Sequence, residues 1–441
     1  MSVKCDRCGV ETNLDATFFK AHKSFSRSIQ TYCPTCRQKQ QHSATKWSFL
    51  LILGLGLLGL WFLLSGAHVG IGWCLINLFF FQLFLVLTIV PHELGHAWMA
   101  RLLGMRVFKI YIGSGETLFN FKLCGFESEF KSLPAGGLVV AAHRTIKNLR
   151  AKQFAFVLAG PAINILLVAA ICPLLDSNWF WSIEPLGNGW QPGLTFFYAN
   201  LLVLLNNLWP HDVNTLFGAI PSDGKQLLQA FFLSPEKREL RHAAGFVLEA
   251  AVLHEKGDYE GGRGWVEKGL ALYPDNEALL SWYGVITLEL GKYDQARECF
   301  IRLLNRKNRQ PLMRPLMLNN IAYANALVGG DDLLKEADAF SQEAMAAMSW
   351  MPAIRGTRGT VLVAMGRFEE GLPLLHESMS EATSPNHKAK NACTIAEAEC
   401  RRGNLSAARM YLEEARKLEP SCSLLDRVES ILNREALVTR S

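Results

Sequence analysis

The chain has 441 residues, 50% of them apolar, with 45 Lys and Arg set against 40 Asp and Glu. That length allows two or three domains, and a net charge of +5 scattered along it is too weak for an electrostatic nucleic-acid surface, so no nucleic-acid partner is expected. The eleven cysteines are not arranged as the framework of a small secreted protein. Residues 1–46 are polar and rich in Lys and Arg, so no signal peptide is expected and the soluble parts are expected to face a reducing cytoplasm.

Residues 1–46 carry Cys5-Asp-Arg-Cys8 and Cys33-Pro-Thr-Cys36. Two CxxC pairs can offer four thiolates to one tetrahedral zinc, and no βαβ context favours the redox alternative. The spacing therefore predicts a small four-cysteine module, zinc-ribbon-like, that folds around its metal. Cys74, Cys124, Cys172, Cys299, Cys393, Cys400 and Cys422 stand singly and are expected to be buried free thiols.

The apolar residues concentrate between about 47 and 210. Trp47 to Leu64 is a nearly unbroken run long enough to cross a bilayer. Its Gly54-Leu-Gly56-Leu-Leu-Gly59 formally matches GxGxxG, but no strand precedes it and no ribose-binding acid follows. Further spans are expected from Gly72 to Val90, Phe154 to Leu175 and Leu194 to Leu208. Val107 to Phe130 alternates and contains glycines, as a hairpin near the membrane surface would. Lys and Arg crowd residues 1–46 and 101–152 and are missing from 65–71 and 176–193. The positive-inside rule then places both termini in the cytoplasm of a four-span protein, in a form suited to a bacterial inner membrane.

His92-Glu93-Leu94-Gly95-His96 follows Pro91 at the end of the second span. On a helix, residues i and i+4 share a face, so His92 and His96 can hold one zinc while Glu93 moves a proton of the water it activates. Ionisable side chains beside lipid are costly to place, which argues against a chance match on a surface helix. Pro91 would kink this helix or open a half-helix that carries the motif.

From about residue 240 the helical pattern repeats. The clearest copy is Gly284-x8-Tyr293-x2-Ala296-x3-Phe300, and Tyr259 and Pro274 belong to the copy before it. Ala250 and Gly284 are 34 residues apart, the tetratricopeptide period. Looser copies run through Ala322 and Ala337, then Gly359, Phe368 and Gly371, then Ala396, Leu405, Ala408, Ala415 and Pro420. About five such repeats would stack into an α-solenoid that presents a surface to a protein partner.

The stretch His92 to Gly104 resembles the active-site helix of the site-2 protease family of intramembrane zinc metalloproteases. Leu133-Pro134-Ala135-Gly136-Gly137 is similar to the family's membrane-associated hairpin, and Gly160-Pro161-Ala162-Ile163-Asn164 to its GPxxN segment. Asn207-Leu208-Trp209-Pro210 followed by Asp223-Gly224 resembles NxxP…DG. The resemblance covers about residues 70–230 in family order. It implies a mainly α, polytopic fold that cleaves a membrane-protein substrate near the cytoplasmic side, with Glu93 catalytic and Asp223 as third zinc ligand. One catalytic and one structural zinc are thus expected. Twelve residues separate Pro210 from Asp223, more than the family pattern has, so Asp212 and His211 compete for the ligand's place. Asn164 and Asn207 are candidates for a substrate groove, or else for interhelical hydrogen bonds. No PDZ or CBS counterpart is evident. The organisation expected is a zinc module over 1–46, a protease domain over 47–235 and a repeat domain over 240–435. Two rival functions are a scaffold whose catalytic relic only holds metal and a metal-dependent transporter, the latter disfavoured because no inverted repeat is visible.

Overall fold

The structure is a computed structural model that describes residues 3–12, 20–23, 29–175, 184–215, 218–306 and 313–438. Parts of the 1–46 and 176–193 segments discussed above lie outside these residues. The chain divides into two compact units, one made of residues 37–245 and the other of residues 1–36 together with 246–441.

Short strands β1 (Val3–Lys4) and β2 (Glu11–Thr12) pair antiparallel, as do β3 (Lys20–Lys23) and β4 (Ile29–Tyr32). Helix α1 (Pro34–Ser65) starts inside the second CxxC and contains the apolar stretch Leu50–Ser65. Helix α2 (Val69–Leu102) is continuous through Pro91. At 1.5 Å per residue its 34 residues span about 51 Å, well beyond the roughly 30 Å of a hydrocarbon core. Pro91 therefore neither ends this helix nor begins a new one, and HELGH sits in its interior directly after the proline.

Strands β5 (Arg106–Leu123) and β6 (Phe126–Ala142) form a long antiparallel hairpin with repeated register shifts. Ile110, Ile112, Phe126 and Val139 of its inner face pack on Ile89 and Ala97 of α2. The hairpin extends past the 107–130 segment and includes the Leu133–Gly137 stretch. Helix α3 (Leu149–Ile171), helix α4 (Pro192–Leu208), the hairpin β7 (Asp212–Thr215) and β8 (Gly218–Pro221), and helix α5 (Asp223–Phe231) complete this unit. Among the described residues, two helical segments are long and apolar enough to cross a membrane, 69–102 and 149–174. Asn77, a polar residue inside α2, is fully used: its amide donates to the carbonyls of Leu186 and Gly189, and the N–H of Gln191 donates to it, each at 2.8 Å.

Helix α6 (Pro235–Glu255) leads into the second unit. There α7 (Tyr259–Leu272), α8 (Glu277–Glu289), α9 (Tyr293–Leu304), α10 (Met313–Val328), α11 (Asp331–Met348), α12 (Pro352–Ala364), α13 (Phe368–Glu381), α14 (Pro385–Arg401), α15 (Leu405–Leu418) and α16 (Leu425–Val438) follow as antiparallel pairs. Small residues at the repeat positions allow close packing. A Cβ on Gly284 would lie 2.6 Å from the ring of Phe300, which is fully buried in the next helix. The stack curls far enough for helices several repeats apart to touch. Lys390 of α14 forms a 2.6 Å ion pair with Glu289 of α8, and Leu425 and Val428 of α16 pack in one cluster with Leu327 and Tyr293.

Four of the seven lone cysteines, Cys299, Cys393, Cys400 and Cys422, are buried as expected. Cys74 and Cys124 are exposed and Cys172 is intermediate, which corrects the expectation for those three. The reason is local: Cys124 occupies the hairpin turn at φ 50°, and Cys74 lies on an outward face of α2, a helix whose apolar residues are largely turned outward.

Candidate metal centre and its surroundings

In α2, His92, Glu93 and His96 are all buried, at 3%, 5% and 5% exposure. The two imidazole rings lie one helical turn apart with centroids at 4.8 Å. His92 Nδ1 meets Asn164 Oδ1 of α3 at 2.5 Å, and His96 Nδ1 meets the Phe156 carbonyl oxygen at 2.8 Å. Both partners are acceptors, so each ring keeps its proton on Nδ1 and turns a bare Nε2 inward.

Those two Nε2 atoms converge on Asp223 Oδ2 at the first turn of α5. The three separations are 3.1 Å (His92 to Asp223), 3.3 Å (His96 to Asp223) and 3.2 Å (His92 to His96). Ligands at about 2.0–2.1 Å from a tetrahedral zinc stand about 3.3–3.4 Å apart, close to this triangle. Three lone-pair donors with no proton between them repel one another, so a cation fits the set. Three protein ligands also leave a fourth position open, as a catalytic site requires.

The extra residues before Asp223 fold back on themselves. Asp212 pairs with Pro221 across the β7–β8 hairpin, the Ser222 N–H donates to the His211 carbonyl at 2.9 Å, and the His211 N–H donates to Ser222 Oγ at 3.1 Å. The chain thus leaves and returns at nearly the same point, and Ser222 then caps α5 by accepting from the Lys225 N–H. The structure brings Asp223 to the histidines but not its two rivals. Asp212 forms an ion pair with Lys225, and His211 Nδ1 donates to the carbonyl of Trp209.

Backbone crosses this centre on several sides, and glycine is what permits it. A Cβ on Gly160 would lie 2.2 Å from His96 Nε2, and one on Gly137 would lie 2.5 Å from Glu93 Oε1. A Cβ on Gly224 would fall 1.8 Å from the Leu208 carbonyl oxygen, so the residue after Asp223 has no room for a side chain. Asn164 is fully buried, and its amide N–H donates to Asn200 Oδ1 at 3.1 Å; Asn200 in turn donates to the Phe196 carbonyl at 3.0 Å. Asn200 was missed in the sequence, although an Asn two helical turns before Asn207 in an apolar span is a readable signal. No hydrogen bond joins Asn207 to His92, Asn164 or Asp223 among the described residues; it sits half-buried near the end of α4.

The second cluster belongs to the other unit. The Sγ atoms of Cys5, Cys8, Cys33 and Cys36 lie within 4.8 Å of one another, with Cys8 and Cys33 at 3.6 Å. The Cys33 N–H donates to Cys5 Sγ at 3.2 Å and the Cys36 N–H to Cys33 Sγ at 3.4 Å. Burial opposes ionisation of Cys5, but donation from the backbone of Cys33, Cys8 and Arg7 outweighs it and brings the thiol down to about 7. A four-thiol set of this kind suits a structural zinc with no open position. Three of the cysteines are buried in one cluster with Leu318, Ala344, Ala347, Met348, Trp350 and Ile354 of the repeats, and Thr12 Oγ1 donates to the Ala347 carbonyl at 2.6 Å.

Among known proteins, the chain is 31% identical over 109 residues to zinc metalloprotease Rip1 of Mycobacterium tuberculosis (strain ATCC 25618 / H37Rv), covering 22% of this chain and 26% of that protein. It is 30% identical over 110 residues to zinc metalloprotease Rip1 of Mycolicibacterium smegmatis, covering 21% and 27%. The match therefore spans about a quarter of these relatives' length. Among solved structures, it is similar to the tetratricopeptide-repeat protein TTC0263 of Thermus thermophilus, at 20% identity and a TM-score of 0.34 over 43% of this chain and 98% of that one. It is also similar to the type IV pilus biogenesis factor PilW, at 17% identity and a TM-score of 0.31 over 45% and 98%. The pattern of Peptidase family M50 matches residues 80–366, well over half of the chain, and takes in the HELGH, GPxxN and DG segments in order; the chain belongs to Peptidase family M50, the site-2 protease family.

Proposed function

We propose that this chain is an intramembrane zinc metalloprotease that hydrolyses a peptide bond of a membrane-spanning protein near the cytoplasmic side. The observation that carries the reading is the triangle of His92 Nε2, His96 Nε2 and Asp223 Oδ2 with Glu93 beside it, built on an apolar helix long enough to cross a bilayer. His92, His96 and Asp223 hold the zinc. When bound, the metal acts as a Lewis acid that brings the pKa of water towards about 7 and polarises the scissile carbonyl. Glu93 takes the proton of the attacking water and returns it to the leaving amine. Asn164 and the Phe156 carbonyl hold the two rings in the tautomer that presents Nε2. The β5–β6 hairpin, which crosses Glu93 at Gly137, lies at the membrane surface where an unwound substrate strand can approach, with the half-buried Asn207 lining the groove and the buried Asn164 serving the interhelical hydrogen bonds to His92 and Asn200.

Apolar helices 50–65, 69–102, 149–174 and 192–208 form four spans, with both termini in the cytoplasm of a bacterial inner membrane. The functional division is a zinc module over 1–46, a protease core over 47–235 and a repeat domain over 240–435 that recruits substrate or a regulator. Glu93→Gln tests the mechanism against a scaffold that only holds metal. In the purified protein it is expected to retain zinc while cleavage of a membrane-protein substrate falls by about 10²–10⁴. Equal cleavage with and without Glu93 would overturn the mechanism.

A further inference from the structure

Positive charge gathers where α3 begins. Residues 143–153 and 232–245 together carry seven Lys and Arg against two Glu. The two segments form one surface within the unit of residues 37–245. Arg150 donates to the Leu233 carbonyl through Nε at 3.0 Å and Nη2 at 2.8 Å, and His242 Nε2 donates to the Arg144 carbonyl at 3.2 Å. A Cβ on Gly245 would lie 3.3 Å from the His143 carbonyl oxygen, so the first turns of α6 pack closely on the loop before α3.

These contacts use carbonyls and leave the charge uncompensated. Arg238 and Arg241 are half-buried on α6, and neither side chain has a hydrogen bond or ion pair among the described residues. The two glutamates of the segment, Glu236 and Glu239, are exposed. Burial pulls the pKa of Arg241 down and no acid offsets it. Burial also holds His143 below its usual range, and the charges of Arg241 and Lys152 add to that effect, so these cations face one another across the loop. A guanidinium keeps its charge when it is withdrawn from water, and the cost falls only when an anion joins it. The preference of Lys and Arg for one side of a membrane accounts for the exposed Arg144 and Lys147, but not for a half-buried pair without an acid.

The position selects the kind of anion. The apolar segment 149–174 starts directly after this loop. Phe231 packs on Phe154 of that segment with ring centroids at 5.1 Å and is still 62% exposed, and its neighbour Phe232 is 81% exposed. Ile146 and Leu240 are exposed beside the cations as well. Cations interleaved with exposed aromatic and aliphatic side chains suit the level of the headgroups, where the charges meet phosphate and the rings meet hydrocarbon. We propose that Arg238 and Arg241 bind the phosphodiester of an anionic phospholipid, with Lys147 adding charge and Phe231 and Phe232 lying against its acyl chains. The planar guanidinium fork matches phosphate oxygens. The site rests on the reading that 149–174 crosses the membrane, and not on proteolysis. A bound headgroup would clamp the first turns of α6 to the start of α3.

The test is native mass spectrometry of the full-length, zinc-loaded chain, titrated in detergent with dioleoyl phosphatidylglycerol or dioleoyl phosphatidylcholine. One phosphatidylglycerol should be retained at least about tenfold more tightly than phosphatidylcholine. Arg238→Gln with Arg241→Gln should weaken phosphatidylglycerol about 25-fold and leave phosphatidylcholine unchanged, each cation near a charged headgroup being worth about fivefold. The pair has no protein partner, so the lipid-free thermal midpoint of this variant should be unchanged or raised, while phosphatidylglycerol raises the midpoint of the parent chain alone. Lys147→Gln, at an exposed position that cannot disturb the core, should cost about fivefold. Lys122→Gln, which removes one charge from the β5–β6 hairpin, should cost nothing. Equal retention of the two lipids, or an unchanged phosphatidylglycerol preference in the double variant, overturns the site. Soluble glycerol phosphate that binds as tightly as the lipid identifies a free-anion site and overturns the lipid assignment. Retention of neither lipid overturns the membrane reading along with it.

Discussion

Among the described residues, two clusters of side chains could hold a metal ion, and they are built in opposite ways. The four cysteines come from two short CxxC turns and are sealed by the repeats, with three of the four buried against Ala344, Trp350 and Ile354. The other cluster has three candidate ligands drawn from two helices, with His92 and Asp223 131 residues apart in sequence, a set that would leave a fourth position open on a tetrahedral metal. Its support also differs: hydrogen-bond acceptors on the far side of each imidazole and glycines wherever backbone crosses the centre. A closed thiolate set stabilises its surroundings, whereas an open set with supporting hydrogen bonds reserves a position for chemistry.

The sharpest break of that comparison is Asp223→Ala. It should remove the inner zinc and lower proteolysis by about 10⁴, while elemental analysis still finds the cysteine-bound metal. Asp212→Ala should keep both metals, because Asp212 is engaged with Lys225; loss of zinc there and its retention in Asp223→Ala would reverse the assignment.

Removing the other metal should act on stability. Cys5→Ser with Cys36→Ser is expected to destabilise the repeat unit by about 4 kcal/mol, the effect of a ligand held at a thousandfold excess over its Kd. Thermal unfolding of the repeats should shift accordingly, with the inner zinc retained. An unchanged midpoint would mean that the cysteines are passengers on the repeats.

The closure of the repeat stack comes next in size. Burial works against the Glu289 carboxylate, but Lys390 and His254 outweigh it and hold its pKa down at about 2. A depressed carboxylate contributes its stability above its unfolded pKa and loses it as pH falls through the folded value. The pair is thus worth on the order of 3 kcal/mol near neutrality, and this is lost between about pH 4.5 and pH 2. Glu289→Gln should flatten that acid limb in a chemical denaturation series; an identical limb in the variant would remove the bridge from the account.

Smallest of the four is Asn200→Ala, which takes the support from Asn164 and so from the His92 ring. Zinc affinity at the inner site should fall about 10–100-fold, with the cysteine site untouched. No change in affinity would show that Asn164 orients the ring unaided.

The two histidines and the four cysteines could be grouped from the sequence because local spacing relates them. His92 and His96 lie four residues apart on a helix, each CxxC spans one turn, and the 34-residue interval marks the repeats. Pro91 was misleading, since an isolated proline is usually a breaker, yet a helix long enough to overshoot the membrane can absorb one lost hydrogen bond. The stretched segment before Asp223 was ambiguous for a different reason. Spacing along a chain does not say whether extra residues extend a path or fold back, and here they form a hairpin.

By itself, then, the sequence determined which side chains could bind metal, that the intervening helices are apolar, and that the C-terminal half is a helical array. Only the tertiary structure decided that Asp223 rather than Asp212 faces the histidines, that Asn164 and Asn200 buttress His92, and that the cysteine module packs into the repeats. It also decided that the curl brings Glu289 to Lys390. Helical and turn periodicities are short-range and survive in one dimension. Contacts between residues a hundred positions apart depend on how packed elements accumulate rotation and on where a small residue lets two backbones close.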